Sequence, residues 1–131
     1  MVRVVLDATV MIDHINGRVP EATALIRDLV ARDDELWSSY VVRTEVLAGM
    51  RRGEERQTEA LLNLITWSEV GRRESDAAGA IGRRFVSANR GIDMSDLILA
   101  ELALHLGAPL LTANVKHFPM FPGLKAPYSY S

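Results

Sequence analysis

The chain contains no cysteine. That excludes a disulfide framework, a cysteine nucleophile and every thiolate metal site, and it fits a cytoplasmic protein. Long apolar runs are missing too. No stretch approaches the roughly 18 apolar residues needed to span a bilayer, so no membrane association is expected. The opening Met1 to Ile12 has Asp7 inside it and lacks the h-region and cleavage site of a signal peptide. There is no G-x-x-x-x-G-K-[ST] loop and no G-x-G-x-x-G turn, which disfavours nucleoside triphosphate and dinucleotide chemistry. No serine sits in a G-x-S-x-G elbow. The three histidines, His14, His105 and His117, share no ligand spacing such as H-x-x-x-H.

What is present points to a folded globular chain. With 131 residues, 48% of them hydrophobic and 24% charged, the composition is that of one domain spanning residues 1–131, not of a disordered segment. The net charge of −2 argues against non-specific coating of nucleic acid. The charge is uneven, however. Arg43, Arg51, Arg52 and Arg56 lie close in sequence, as do Arg72, Arg73, Arg83, Arg84 and Arg90. They read either as a basic face or as solvated helix surface.

The apolar pattern alternates strands with helices. Val2 to Leu6 is a β-branched run ending at Asp7, the pattern of a buried parallel strand. Ala8 to Ile15 is a short helix closed by Asn16 and Gly17. Pro20 opens a second, with Ala22, Leu25, Ile26, Leu29 and Val30 on its apolar face, broken by Asp33 and Asp34. Leu36 to Ser39 is a strand. A helix runs from Val41 or Val42 through Glu45 to about Met50, and another from about Glu54 places Leu61, Leu64 and Ile65 on one face. Thr66 to Val70 is a third strand. A long helix from Glu74 to Ala88 is expected to bury Ala77, Ile81 and Phe85 and to close at Gly91. Met94 to Leu106 is apolar on nearly all sides and ends at Gly107, so it is a buried helix. Ala108 to Thr112 is a strand limited by Pro109, and the proline-containing tail adds an edge strand. Strands separated by helices predict a three-layer α/β/α sandwich with a short, mainly parallel central sheet. In such sheets ligands bind beyond the carboxyl ends of the strands, where the strand order reverses.

Acidic residues fall at that edge. Asp7 follows the first strand. Glu45 lies in the early turns of the helix after the second. Asp96 is in the first turn of the buried helix, and Asn114 follows the last strand. Carboxylates crowded together need protons or a cation between them, and hard oxygen ligands select Mg²⁺, Mn²⁺ or Ca²⁺. Such a site suits phosphodiester hydrolysis without a protein nucleophile. Each residue has a plainer role open to it: Asp7 as a helix N-cap, Glu45 as solvated helix surface, Asp96 as a partner of its helix dipole, Asn114 as the cap of a final turn. Asp13, more than a turn beyond Asp7, reads as surface. His105 is four residues after Glu101, a helix-face pair, and His117 is the histidine expected nearest the site. Met11, Met50, Met94 and Met120 read as core.

These residues sit in segments with a family resemblance. V-V-L-D-A-T-V-M-I-D at 4–13, R-T-E-V-L-A-G at 43–49, S-D-L-I-L-A at 95–100 and L-L-T-A-N-V-K-H-F-P-M-F-P-G-L at 110–124 resemble, over essentially the whole chain, the PIN-domain ribonucleases and specifically the VapC-type toxins of toxin–antitoxin pairs. The resemblance implies that Asp7, Glu45 and Asp96 hold Mg²⁺ or Mn²⁺ and are the catalytic acids. Asn114 matches a fourth position, often aspartate, and brings no charge to it. Thr9 matches a small polar position that supports the site. Ala8 departs from the Thr or Ser common after the first aspartate, which bears on outer-shell support of the metal. Asp93, one turn before Asp96, can join or substitute for it.

The implied activity is endoribonucleolytic cleavage by metal-activated water of single-stranded or looped RNA, with Arg43, Arg51, Arg52 and Arg84 as candidate phosphate contacts. The implied partners are the RNA, a cognate antitoxin protein that covers the site, and a second copy of the chain in a homodimer. Two other functions compete. One is a non-catalytic PIN-like RNA- or protein-binding scaffold, favoured by Asn114 and Ala8. The other is a metal-dependent phosphatase or DNase using the same carboxylates, although L-D-A-T lacks the D-x-D pattern of the aspartyl phosphatases.

Overall fold

A computed structural model describes residues 2–86 and 91–129. Its order is β1 (Arg3–Leu6), α1 (Ala8–Ile15), α2 (Pro20–Ala31), β2 (Glu35–Ser39), α3 (Tyr40–Ala48), α4 (Glu55–Leu62), β3 (Ile65–Ser68), α5 (Arg72–Phe85), α6 (Met94–Leu106) and β4 (Leu110–Leu111), then a 3₁₀ turn at Val115–His117. The four strands pair in parallel in the order β3-β2-β1-β4. Parallel neighbours need a crossover, and the intervening helices supply it, giving the expected three-layer α/β/α architecture. The chain moves outward from β1 through β2 to β3, then returns to the other side of β1 as β4. The strand order therefore reverses between β1 and β4, the position beyond whose carboxyl ends open parallel sheets bind ligands.

The core gathers Val5, Leu6, Val10 and Met11 from the first strand and helix, Leu29, Val42 and Leu61 from the next helices, and Leu99 from α6. Helix α6 is buried along most of its length and contacts β1, β2, α3 and α5. Its apolar surface in nearly every direction follows from being enclosed on several sides. It ends where Gly107 turns left-handed at φ 60°, a conformation that costs glycine little. Pro109 does no harm to β4, because the ladder uses its carbonyl, which accepts from Val5 N at 2.9 Å.

Several local expectations are corrected. Helix α4 stops at Leu62, capped at Asn63, so its buried residues are Thr58, Leu61 and Leu62. Leu64 is exposed, and Ile65 belongs to β3, in register with Leu36. A short apolar run fits either period, and pairing with β2 decided it. In α5 the buried residue is Ala78, while Ala77, Ile81 and Phe85 are half-buried, because α5 lies on the outside of α6. The helix is described as far as Phe85; the expected extension to Ala88 falls on residues outside those described. Val30 is exposed. The tail adds no strand among the described residues. Instead it packs Phe118, Met120, Phe121, Leu124 and Tyr128 against the core. Tyr128 Oη donates to Asp13 Oδ2 at 2.6 Å, so Asp13 anchors the tail and is not free surface.

Candidate functional site

Asp7 is the first residue past β1, and its backbone N–H donates to Leu111 O of β4 at 3.0 Å. It is buried, 6% exposed. Its side chain also caps α1: Oδ1 accepts from Ala8 N at 2.8 Å. The cap and the site are thus the same carboxylate. Its other oxygen, Oδ2, accepts from Thr112 Oγ1 at 2.6 Å and from Thr9 Oγ1 at 3.2 Å. Thr9 Oγ1 in turn accepts from Ala113 N at 3.1 Å, and Thr112 Oγ1 from Asn114 N at 2.9 Å. These contacts tie the start of α1 to the end of β4. Burial raises the Asp7 pKa, although Thr112, Ala8, Thr9 and His117 act to lower it.

Asp96 lies at the third position of α6 and is 7% exposed. It forms a reciprocal capping box with Asp93: Asp96 N donates to Asp93 Oδ1 at 2.9 Å, and Asp93 N donates to Asp96 Oδ2 at 3.1 Å. His117 Nδ1 lies 2.9 Å from the same Oδ2. The Asp96 pKa is raised to about 6, first by burial and also by the charges of Asp93 and Asp7, against the Asp93 backbone bond and His117. Asp93 therefore serves as the N-cap, and Asp96 is the buried acid that feels Asp7.

Glu45 enters from α3. It is exposed, and its Oε1 accepts from Ser95 Oγ at 2.5 Å, which places it beside the start of α6. Asn114 lies just past β4 and its Nδ2 is 3.2 and 3.3 Å from the two ring nitrogens of His117. Asp7, Asp96, Glu45 and Asn114 thus come from four elements to one edge, as the strand-end argument anticipates. Among the described residues, no three His, Asp or Glu side chains already enclose a common point. The donor set still fits a divalent cation: hard oxygens, with two buried carboxylates whose proton affinities are raised first by burial.

Of the candidate phosphate contacts, Arg51 and Arg52 are exposed in the turn after α3. Arg43 lies over the Trp67 ring at 5.2 Å, and Arg84 over Phe85 at 5.3 Å. Glu101 accepts from Arg73 Nη1 at 3.1 Å, and this contact with α5 supplants the expected His105 pair. Two supporting residues, Thr112 and Ser95, escape a reading of the sequence, and so does the contact of His117 with Asp96. Their faint signals are a threonine closing an apolar strand, a serine next to an acid, and a histidine one turn past Asn114.

Fold and site together define an α/β/α protein with buried carboxylates at its topological switch point. The PIN domain family profile matches residues 4–119, and the chain belongs to the PIN-domain family. It is 40% identical over 123 residues to ribonuclease VapC19 of Mycobacterium tuberculosis, covering 94% of this chain and 98% of that protein. Ribonuclease VapC10 of the same organism is 31% identical over 126 residues, covering 96% and 93%. Among solved structures, a toxin–antitoxin complex from Klebsiella pneumoniae superposes with a TM-score of 0.77 at 23% identity, covering 97% of this chain and 99% of that one. VapBC2 from Rickettsia felis bound to a promoter DNA fragment gives 0.74 at 20% identity, covering 93% and 95%. These structural likenesses confirm the fold. No helix of the described residues is long and apolar enough to cross a membrane.

Proposed function

We propose that the chain is the toxin of a toxin–antitoxin pair and acts as a Mg²⁺- or Mn²⁺-dependent endoribonuclease. The observation that carries this reading is the joint burial of Asp7 and Asp96 at the sheet's switch point, in a chain 40% identical to a ribonuclease over most of its length. Asp7 and Asp96 would hold the cation, with Glu45 completing the acidic set from α3. A divalent cation there supplies charge that favours deprotonation of an attacking water and offsets the negative charge building on the phosphoryl group. Thr112 and Thr9 orient Asp7, and Ser95 holds Glu45 toward the start of α6. The exposed Arg51 and Arg52 are available to RNA phosphates; Arg43 and Arg84 reach them only by leaving their aromatic contacts. The expected setting is a single cytoplasmic domain that pairs with a cognate antitoxin and forms a homodimer.

A second reading, a PIN-like scaffold without activity, draws on one feature: Glu45 is exposed and turned to Ser95, so the acids do not enclose a point in advance. One experiment separates the two. Purified chain free of antitoxin is incubated with total RNA, with DNA and with a small phosphate ester, each with Mg²⁺, Mn²⁺ or EDTA, beside an Asp7→Ala variant. Discrete RNA cleavage that needs metal and vanishes in the variant is expected. Cleavage that survives both EDTA and Asp7→Ala would sink the mechanism, and intact RNA under every condition would favour the scaffold.

A further inference from the structure

A second group of side chains stands on the same edge of the sheet as the acids. β2 ends at Ser39 and β3 at Ser68, and these two residues are paired in register. Tyr40 is the first residue past β2 and opens α3, and Trp67 is the last residue but one of β3. Their rings stack, with centroids 6.2 Å apart and planes 28° apart, within the range that aromatic pairs favour. Arg43, one turn beyond Tyr40 on α3, lies over the Trp67 ring with its Cζ 5.2 Å from the centroid. Trp67 Nε1 donates to Leu62 O at 3.0 Å. Trp67 is thus held by the end of α4, by a guanidinium and by a second ring, whereas Tyr40 is 44% exposed. An aromatic ring backed in this way and open to solvent is what a nucleobase stacks on, because every base has a π-face.

Position and charge select the occupant. β3 is two strands from β1, the strand that Asp7 follows, which at a spacing of about 4.8 Å puts it roughly 10 Å away. Stacked nucleotides rise about 3.4 Å each, so roughly three cover that separation. Arg43 adds positive charge beside the rings. Away from the acidic edge, the groove between α3 and α4 is lined by Glu55 and Glu59, which repel a phosphate chain and leave the edge of the sheet as its path. We propose that Tyr40, backed by Trp67 and Arg43, is a stacking platform for one unpaired base of the RNA, a few nucleotides from the phosphate held at the acids. Arg43 then serves the RNA from its place on Trp67. Bases inside a duplex offer no free face, so the platform selects single-stranded or looped RNA. The choice of RNA as occupant rests on the nuclease reading; the geometry of the rings does not. Leu47 and Met50, exposed further along α3, make a second copy of the chain the rival occupant.

The probe is a labelled oligouridylate of about 12 nucleotides, long enough for one binding groove and free of self-pairing. Its binding to the full chain is followed by fluorescence anisotropy at low salt in EDTA, so that no cleavage intervenes, beside the same strand annealed to oligoadenylate. Tyr40→Leu should weaken binding of the single strand by about 10-fold, and Tyr40→Phe, which keeps the ring, by no more than about twofold. Neither variant should change binding of the duplex. A 4-thiouridine version of the oligonucleotide should crosslink to Tyr40, located by mass spectrometry. In cleavage assays with Mn²⁺, Tyr40→Leu should raise KM and leave kcat nearly unchanged. Equal single-strand affinity in Tyr40→Leu and the unaltered chain overturns the platform, and so does an equal loss on the duplex or no binding by the folded, unaltered chain. Tyr40→Leu that binds RNA normally but sediments as a monomer where the unaltered chain is a dimer assigns the face to a second copy and overturns it too. The two readings fail separately. A chain that binds through Tyr40 but cuts nothing with Mg²⁺ or Mn²⁺ keeps the platform and loses the nuclease; cleavage with an unaltered KM in Tyr40→Leu keeps the nuclease and loses the platform.

Discussion

The two sides of the acidic edge are built differently. On the β1–β4 side, Asp7 is buried and receives three donors, and the threonines that supply two of them are themselves tied to the backbone after β4. On the α3–α6 side, Glu45 is exposed, with a single side-chain bond among the described residues, from Ser95. The first side is held by several donors from within the fold; the second is exposed and held by one. On the proposed nuclease reading, a site that holds a cation and admits an RNA chain would benefit from both. Rigid ligands lower the reorganisation needed at the chemical centre, and an exposed acid stays accessible to an incoming chain.

That contrast can be broken most sharply at Asp7. Asp7→Asn keeps an N-capping residue but removes the charge. RNA cleavage should fall by more than the roughly 10–100-fold typical of outer-shell partners, while urea melts show stability unchanged or raised, because a buried charge is gone. Loss of folding in this variant would mean that the carboxylate is structural first. Next comes Thr112→Val, which keeps shape but deletes the 2.6 Å bond to Asp7 and the acceptor for Asn114 N. Roughly 1.5–3 kcal/mol of stability should go, with about 10-fold in Mn²⁺ affinity, and Thr112→Ser should restore both. An undisturbed affinity would show that Asp7 needs no such support.

The pH dependence probes Asp96, between the two sides. Its folded pKa of about 6 lies above the roughly 3.9 of an unfolded aspartate. The native state therefore binds the proton more tightly than the unfolded state. This contribution to stability is fully present below about pH 4 and is lost as pH rises through about 6. Metal binding runs the other way, since the proton must leave first: Mn²⁺ affinity should drop as pH falls below about 6, by up to roughly tenfold per unit. Calorimetry at several pH values with parallel thermal melts reads both, and a flat affinity between pH 5 and 7 would remove Asp96 from the metal site. The smallest effect is expected at Ser95→Ala. Glu45 is solvated, so stability should change by about 0.5 kcal/mol or less and cleavage by only a few-fold. A loss as large as that of Thr112→Val would erase the distinction between the two sides.

The large pieces of this arrangement were readable without coordinates. A β-branched run that stops at an aspartate, a glutamate early in the helix after the next strand, an acid at the start of an all-apolar helix and an asparagine after the last strand converge once the strands are parallel. That inference needs only periodicity and the strand-end rule. Where periodicity was ambiguous it failed. Ile65 fits a helix face as well as a strand, and only its pairing with Leu36 settles which. In α5 the apolar spacing pointed to Ala77, Ile81 and Phe85, and packing against α6 buried Ala78 instead.

What the amino-acid order alone determined, then, is local: the order of the main strands and helices, apart from their ends and the tail, and which carboxylates end up at strand termini, because these follow from backbone propensity and side-chain period. What only the tertiary structure decided is who holds those carboxylates. Thr112 reaches Asp7 across 105 residues of sequence, Ser95 reaches Glu45 across 50, and His117 reaches Asp96 across 21. Hydrogen bonds of that kind depend on strand register and on helix rotation to within a few tenths of an ångström. No local pattern in the chain encodes either quantity before the sheet has formed.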